Sequence, residues 1–193
     1  MAGCEIVLVI GGARSGKSTV AERYASSITS EVVYIATAGV QDEEMARRVE
    51  LHRERRPASW PTIEEKHYLD SVLTKLSAGS VVLVDCLTIW ITNWLLDKTI
   101  EDLSAEAKEA RIMQETSNFI KAAQDNKLKL IMVSNEVGCG LVPDNELGRL
   151  FRDVAGRVNQ YVAAMADKVF WVVAGIPLEI KSLAINQAVQ EGI

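Results

Sequence analysis

The sequence predicts an α/β phosphate-loop fold, with a mainly parallel sheet covered by helices on both faces. Residues 10–18 read Ile-Gly-Gly-Ala-Arg-Ser-Gly-Lys-Ser, which matches the spacing of a phosphate loop. An apolar, β-branched run at residues 5–10 precedes this loop, and a helix-forming stretch follows it. Further apolar runs typical of buried strands alternate with amphipathic stretches, an order that is typical of parallel sheets.

The phosphate loop is the predicted nucleotide site. A strand, loop and helix in this order direct backbone N–H groups and a helix N-terminus at phosphate. Gly11 and Gly16 allow backbone angles that a side chain would forbid. We expect Lys17 to reach the β- and γ-phosphates and the Ser18 hydroxyl to bind Mg²⁺. A chance glycine-rich turn is the alternative, and the flanking strand and helix argue against it.

Composition limits the function classes. The 193 residues predict a single domain over 1–193, and 48% hydrophobic with 24% charged residues is ordinary for a globular protein. A net charge of −5 gives no electrostatic case for binding nucleic acid or an anionic membrane. The three cysteines are scattered, without zinc or disulfide spacing, which suits a reducing cytosol. We therefore expect a cytoplasmic protein without an integral membrane segment, because no apolar stretch is long enough to span a bilayer.

Further strands and helices are predicted in alternation after the first helix. The strands cover residues 32–36, 81–85, 128–133 and 168–173, with an extended segment at 58–65 and an edge strand at 178–181. The helices cover residues 42–56, 69–76, 87–96, 104–125 and 145–165. Trp90 and Trp94 form an apolar stripe on one of these helices, typical of a core or of a subunit contact.

The second predicted ligand of the metal is Asp85, which ends the strand at 81–85. An apolar run that ends in Asp is the Walker-B pattern, whose carboxylate holds magnesium directly or through water. Two more segments, 36–38 and 134–143, follow strands at the edge where open α/β sheets bind ligands. From spacing alone, Ala36-Thr37-Ala38 is interpreted as a simple turn and Cys86 as a small buried hydrophobe.

A lone histidine, His52, lies on the apolar face of the predicted helix at 42–56. Such a histidine is ordinarily a core residue. Five arginines crowd the same segment: Arg47, Arg48, Arg53, Arg55 and Arg56. This cluster fits either a solvated basic face of the helix or a set of side chains that bind a triphosphate.

Taken together, the motifs resemble the bifunctional adenosylcobinamide kinase/adenosylcobinamide-phosphate guanylyltransferase family of cobalamin biosynthesis. The matching stretches are 11–18, 34–37, 42–45, 52–57 with Trp60, Thr62 and Glu64, then 135–138 and 151–160. They cover nearly the whole chain in order. The phosphate loop alone would indicate only a superfamily, whereas the His-Arg-Glu-Arg-Arg-Pro block and the Asn-Glu-Val-Gly loop are much more specific.

The resemblance implies two reactions on a RecA-like phosphate-loop domain. The first transfers the γ-phosphoryl group of ATP or GTP to the aminopropanol hydroxyl of adenosylcobinamide, with Mg²⁺ as cofactor. The second transfers GMP from GTP to adenosylcobinamide phosphate, giving adenosyl-GDP-cobinamide and pyrophosphate. Members of the family assemble as homotrimers, so the resemblance implies the same for this chain.

The resemblance also implies the site residues. His52 and Lys17 are the catalytic residues, with His52 carrying the guanylyl group. Some relatives have two adjacent histidines here, whereas Leu51 precedes His52 in this chain and leaves one candidate. The nucleotide contacts fall on Gly11, Gly12, Ala13, Arg14, Ser15, Gly16, Lys17, Ser18, Ala36, Thr37, Ala38, Arg53, Glu54, Arg55, Arg56, Glu64 and Asp85, with Ser18 and Asp85 also on the metal.

Three other functions compete with this one. A small GTPase would read guanine with an Asn-Lys-x-Asp motif, and the corresponding Ser134-Asn135-Glu136 has no lysine. A RecA-like motor would require a basic face or an added domain, against which the charge of −5 and the short chain argue. A kinase that had lost guanylyl transfer would not need His52 and its arginine block.

Overall fold

The computed structural model describes residues 3–38 and 57–184. Its described part contains a seven-stranded sheet in the order β3-β2-β4-β5-β1-β6-β7, parallel except for β7, which pairs antiparallel with β6. The strands are β1 Glu5–Gly11, β2 Val32–Ala36, β3 Thr62–Glu64, β4 Val81–Asp85, β5 Lys129–Asn135, β6 Lys168–Val173 and β7 Ile176–Glu179. The predicted α/β fold with a mainly parallel sheet is confirmed.

The helices agree closely with the predicted ones. They are α1 Lys17–Ile28, α2 Leu69–Leu73, α3 Leu87–Leu95, α4 Ala105–Asp125 and α5 Glu146–Met165, with short 3₁₀ turns at Lys98–Ile100 and Lys181–Leu183. The predicted helix at 69–76 ends early, at Leu73, and the edge strand predicted at 178–181 lies two residues earlier. The helix predicted at 42–56 lies outside the described residues.

Helix capping explains where the long helices begin. The Ser104 hydroxyl accepts from the Ala107 N–H at 3.3 Å, and the Asn145 side chain accepts from the Gly148 N–H at 2.7 Å. Each bond satisfies a donor that would otherwise have no partner in the first turn. Helix α1 has no such side-chain cap, because Gly16 stands at its N-cap position. Its first turn is therefore available to a ligand.

Two hydrophobic layers enclose the sheet. Along β1, Ile6 and Leu8 face one layer with α3, α4 and α5, and Val7 and Val9 face the other with α1. This alternation is the period-2 pattern of a strand buried on both sides. Trp90 and Trp94 are fully buried in the first layer. The tryptophan stripe is therefore core, not a subunit contact. Among the described residues, no helix combines the length and apolar character needed to cross a membrane.

Parallel pairing places the carboxyl ends of four neighbouring strands at one edge. Gly11 of β1 stands opposite Asn135 of β5, and Asp85 of β4 stands opposite Ala36 of β2. The phosphate loop leaves the sheet from β1 at this same edge. The fold thus gathers the predicted loop and the predicted Walker-B aspartate on one side of the sheet, where ligands of such sheets bind.

Candidate nucleotide-binding site

The phosphate loop is held in shape by short backbone contacts. Ser15 N–H donates to the Gly12 carbonyl at 3.2 Å, and Gly175 N–H donates to the Ser15 carbonyl at 2.8 Å. Gly16 has φ 91°, a left-handed conformation that residues with a Cβ rarely adopt. Ala13 and Arg14 lie exposed at the tip of the loop. The turn between β6 and β7 therefore supports the loop from outside its own strand.

Gly11 is packed too closely to carry a side chain. A Cβ at Gly11 would lie 2.5 Å from the Val172 carbonyl oxygen and 2.6 Å from the Ser15 hydroxyl oxygen. A Cβ at Gly12 would meet nothing within 4 Å. A glycine is thus required at position 11 because strand β6 lies so close. Packing does not require a glycine at position 12.

Lys17 lies across its own loop. Its Nζ donates to the Gly12 carbonyl at 3.2 Å. Burial lowers the pKa of Lys17, whereas Cys86 and Asp85 act in the opposite direction and raise it. The Ser15 hydroxyl is buried and has no hydrogen-bond partner among the described residues. The loop thus offers a cation and an uncommitted hydroxyl together with the N-terminus of α1, which is the donor set that a phosphate group requires.

Asp85 lies half-buried at the end of β4, within electrostatic reach of Lys17. The Tyr34 hydroxyl donates to its Oδ2 at 3.0 Å, which fixes one carboxylate oxygen. Ser18 and Asp85 supply a hydroxyl and a carboxylate, the hard oxygen donors that Mg²⁺ prefers. Within residues 3–38 and 57–184 there is no group of three or more His, Cys, Asp or Glu side chains placed to hold a metal. This sparse donor set fits Mg²⁺, which keeps several waters and binds substrate phosphates.

The turn after β2 is anchored by Thr37. Its hydroxyl donates to the Cys86 carbonyl at 2.8 Å and accepts from the Cys86 N–H at 2.9 Å. Asn93 Nδ2 donates to the Thr37 carbonyl at 2.9 Å. The Thr37 side chain is fully buried and joins β2 to β4, which favours the simple-turn interpretation for this residue.

The other predicted contacts divide into two sets. Ala36 and Glu64 stand opposite each other in register at the ends of β2 and β3, so Glu64 lies at the same sheet edge, with Ala38 just beyond. The remaining set lies outside the described residues: His52, Arg53, Glu54, Arg55 and Arg56.

A polar network at the end of β5 was not predicted from the sequence. Asn135 Nδ2 donates to the Thr88 hydroxyl at 3.1 Å, and Asn159 Nδ2 donates to the Asn135 carbonyl at 3.1 Å. The Thr88 oxygen lies 3.0 Å from the sulfur of Cys86, whose burial raises its pKa to about 11. Cys86 is thus buried, as predicted. The Asn-Glu-Val-Gly block marked this segment, but no spacing rule connects it to helices α3 and α5.

Comparison with known proteins gives one consistent family. Residues 7–180 match the model of the CobU family, described as cobinamide kinase / cobinamide phosphate guanyltransferase. The chain is 44% identical over 181 residues to the bifunctional adenosylcobalamin biosynthesis protein CobU of Escherichia coli (strain K12), covering 91% of this chain and 99% of that protein. It is equally similar, 44% over 181 residues with the same coverage, to CobU of Salmonella typhimurium. CobP of Pseudomonas aeruginosa, also named a bifunctional adenosylcobalamin biosynthesis protein, is 43% identical over 175 residues, with 90% and 96% covered.

A solved structure from Pyrococcus horikoshii OT3 has a similar fold. Its TM-score is 0.54 at 7% sequence identity, with 93% of this chain and 87% of that chain covered. At this identity the likeness concerns the fold alone.

The packing at the phosphate loop predicts different outcomes for its first two glycines. Gly11→Ala should lower the free energy of unfolding by about 1–3 kcal/mol, because the new methyl group collides with the backbone of β6. Gly12→Ala is the matched control and should stay within about 0.5 kcal/mol of the wild type. Urea unfolding of the nucleotide-free proteins measures both. Equal stabilities would show that the loop is not confined by β6.

Proposed function

The chain belongs to the cobinamide kinase / cobinamide phosphate guanyltransferase family, and we propose that its one phosphate loop serves both reactions. It is a bifunctional enzyme of cobalamin biosynthesis, with a kinase and a guanylyltransferase activity. The observation that carries the proposal is the loop itself, with Lys17 and the uncapped start of α1 at the carboxyl edge of the sheet. Both reactions consume a nucleoside triphosphate, and the sequence has one phosphate-loop motif.

In the kinase reaction, ATP or GTP gives its γ-phosphoryl group to a hydroxyl of adenosylcobinamide. The N–H groups of the loop and the first turn of α1 bind the phosphates. Lys17 exchanges its contact with the Gly12 carbonyl for the β- and γ-phosphates, where it neutralises the charge that develops during transfer. The remaining predicted contacts, including Ala36, Ala38 and Glu64, hold the nucleotide from the edge of β2 and β3.

Ser18 and Asp85 are the residues that would hold Mg²⁺. The ion would neutralise phosphate charge when bound. Tyr34 keeps the Asp85 carboxylate in place by its hydrogen bond to Oδ2.

In the guanylyltransferase reaction, His52 attacks the α-phosphorus of GTP and carries GMP to the phosphorylated corrinoid. Neutral imidazole, with an unperturbed pKa of about 6.5, is a nucleophile near pH 7 and remains a competent leaving group. The adjacent Arg53, Arg55 and Arg56 neutralise the triphosphate and the departing pyrophosphate.

The second histidine, His67, has a different environment. Its Nε2 lies 3.1 Å from Asp97 Oδ2, and its ring packs edge-on against Trp94 with centroids 4.9 Å apart. Its backbone carbonyl accepts from Trp90 Nε1 at 2.8 Å. Because these contacts hold His67 against the core, they support His52 as the nucleophile.

A homotrimer is the proposed assembly, and an exposed apolar face supports association between copies of the chain. In the β6–β7 hairpin, Trp171 stands opposite Leu178 and Val173 opposite Ile176, so these four side chains share one face. They are 46%, 48%, 51% and 66% exposed, respectively. A contiguous exposed apolar face marks an interaction surface. The trimer itself rests on the resemblance to the family.

The proposed location is the cytoplasm. Cys4, Cys86 and Cys139 are free thiols, as expected in a reducing compartment.

Labelling with α-labelled GTP tests the covalent step. The wild type should acquire an acid-labile, base-stable GMP label. His52→Ala should lose the label and guanylyl transfer but keep substantial kinase activity, because phosphoryl transfer to an alcohol needs no covalent enzyme intermediate. Lys17→Ala, the companion variant, should lose both activities by at least about a hundredfold, because both use the loop. Label that persists on His52→Ala, or that maps to His67, would contradict the assignment.

Substitution of the Walker-B residue tests the metal assignment. Asp85→Asn should raise the Mg²⁺ concentration required for half-maximal activity about tenfold or more in both reactions, because a charged ligand is lost. Magnesium titrations of each activity measure this. Glu101→Gln, an exposed carboxylate, is the control and should match the wild type. An unchanged titration for Asp85→Asn would reassign Asp85 to a structural role.

Disruption of the apolar hairpin face tests the assembly. Trp171→Glu should dissociate the oligomer, because a buried interface does not accommodate an unpaired charge. Light scattering after size exclusion measures the mass. Leu96→Glu, at a residue that is 57% exposed outside the hairpin, should leave the mass unchanged. A wild type that is monomeric at micromolar concentration would refute the trimer.

A further inference from the structure

Asn135 has a buried acceptor that nothing in the described protein uses. It ends β5, the strand between the phosphate-loop strand β1 and the Walker-B strand β4. Its Oδ1 is buried and has no hydrogen-bond partner among the described residues. A buried polar atom left without a partner keeps the cost of losing its contact with water. Such atoms in a native fold are uncommon and call for an explanation.

The Asn135 side chain is held in one orientation. Its Nδ2 donates to the Thr88 hydroxyl at 3.1 Å, and its backbone carbonyl accepts from Asn159 Nδ2 at 3.1 Å. Asn159 is itself fixed, because its Oδ1 accepts from the Ser134 hydroxyl at 2.7 Å. Thr88 thus holds the side-chain amide, and Asn159 with Ser134 holds the backbone of the same residue, leaving Oδ1 as the open end of the amide.

The Thr88 hydroxyl can accept the hydrogen bond of the Asn135 amide while it also contacts Cys86. Its oxygen lies 3.0 Å from the Cys86 sulfur, a distance at which either atom can be the donor. Whichever of the two atoms donates, the threonine oxygen retains a lone pair for the Asn135 N–H.

The open acceptor lies beside the phosphate loop. Asn135 stands opposite Gly11 in the parallel register, and the next residue, Glu136, donates its N–H to the Gly11 carbonyl at 3.0 Å. Asp85 pairs with Val133, two residues earlier on the same strand. Oδ1 therefore belongs to the part of the site between the loop and the predicted metal ligand.

We propose that Asn135 Oδ1 accepts a hydrogen bond from the alcohol group that attacks the γ-phosphoryl group. The inference rests on the proposed kinase function. An ionised triphosphate offers only acceptors, so it cannot satisfy another acceptor, whereas a substrate hydroxyl supplies an O–H donor. The phosphorylated substrate of the second reaction has lost this hydroxyl. Asn135 is thus a binding group for one of the two reactions.

The amide positions the hydroxyl and does not remove its proton. The alcohol oxygen forms a bond to the γ-phosphorus, while the bond from this phosphorus to the β,γ-bridging oxygen breaks. The bonding electron pair leaves with the nucleoside diphosphate, and the hydroxyl proton passes to solvent. A neutral amide oxygen is too weak a base to take that proton. By holding the O–H, Asn135 directs a lone pair of the alcohol at phosphorus, an effect of orientation.

The test compares one variant across three assays. Asn135→Ala should lower kcat/KM for phosphorylation of adenosylcobinamide about tenfold to a hundredfold, because orientation is lost. Formation of labelled GMP–enzyme from GTP, and GMP transfer to adenosylcobinamide phosphate, should stay within about twofold of the wild type. These two assays also show that the variant is folded. Thr88→Val removes the acceptor of the Asn135 amide but leaves the amide in place. This variant should lose less kcat/KM than Asn135→Ala, and only in the kinase reaction.

Four results would overturn the inference. An unchanged kinase activity would show that Oδ1 does not touch the alcohol. A parallel loss in all three assays, or a shifted magnesium requirement, would assign Asn135 to the fold or to a metal-bound water. A loss with GTP but not with ATP as phosphoryl donor would assign it to the guanine base. The wild type serves as the separate check on the proposed function, since absence of alcohol phosphorylation there would refute the kinase itself.

Discussion

The parallel register of β2, β4, β5 and β1 is the constraint on which the site depends. Side chains far apart in the chain meet because parallel strands end at one edge, as Gly11, Asn135 and Asp85 do. Both faces of this sheet are buried, so a slip of one strand by one residue would move apolar side chains into the wrong layer. Packing in the two cores thus fixes the separation between the phosphate loop and the Asp85 carboxylate.

Most of the fold could be predicted because its signals are local. Apolar runs marked the central strands within one or two residues, and amphipathic stretches marked α4 and α5 with starts within one residue. The family assignment is confirmed by the matched family model and the bacterial relatives. Lys17 was recognised because its motif is contiguous. The roles of Thr88 and Asn159 could not be predicted, because their bonds to Asn135 span 47 and 24 residues. No periodicity within one element encodes such contacts.

Many polar side chains around the site form hydrogen bonds with backbone groups. These bonds give the carboxyl edge of the sheet a fixed shape before any ligand binds. Thr37 joins β2 to β4, Asn93 Nδ2 donates to both the Thr37 and Lys66 carbonyls, and Asn159 holds the end of β5. Each such bond replaces one that water would otherwise supply, so its net contribution to stability is modest. Their larger effect is on geometry, because groups fixed in advance need little reorganisation when charge moves between phosphates.

Burial of Cys86 has a consequence for oxidative damage. Burial raises the pKa of Cys86 to about 11, so the side chain is a thiol at pH 7. Peroxides attack the thiolate, and bulky disulfides need access to it, so this sulfur is doubly shielded from sulfenic acid formation and glutathionylation. Cys139 is exposed on the loop after β5, so oxidants reach its sulfur without the barrier that burial gives Cys86. A cell under peroxide stress would therefore modify the periphery of this protein while the sulfur beside its phosphate site remained reduced.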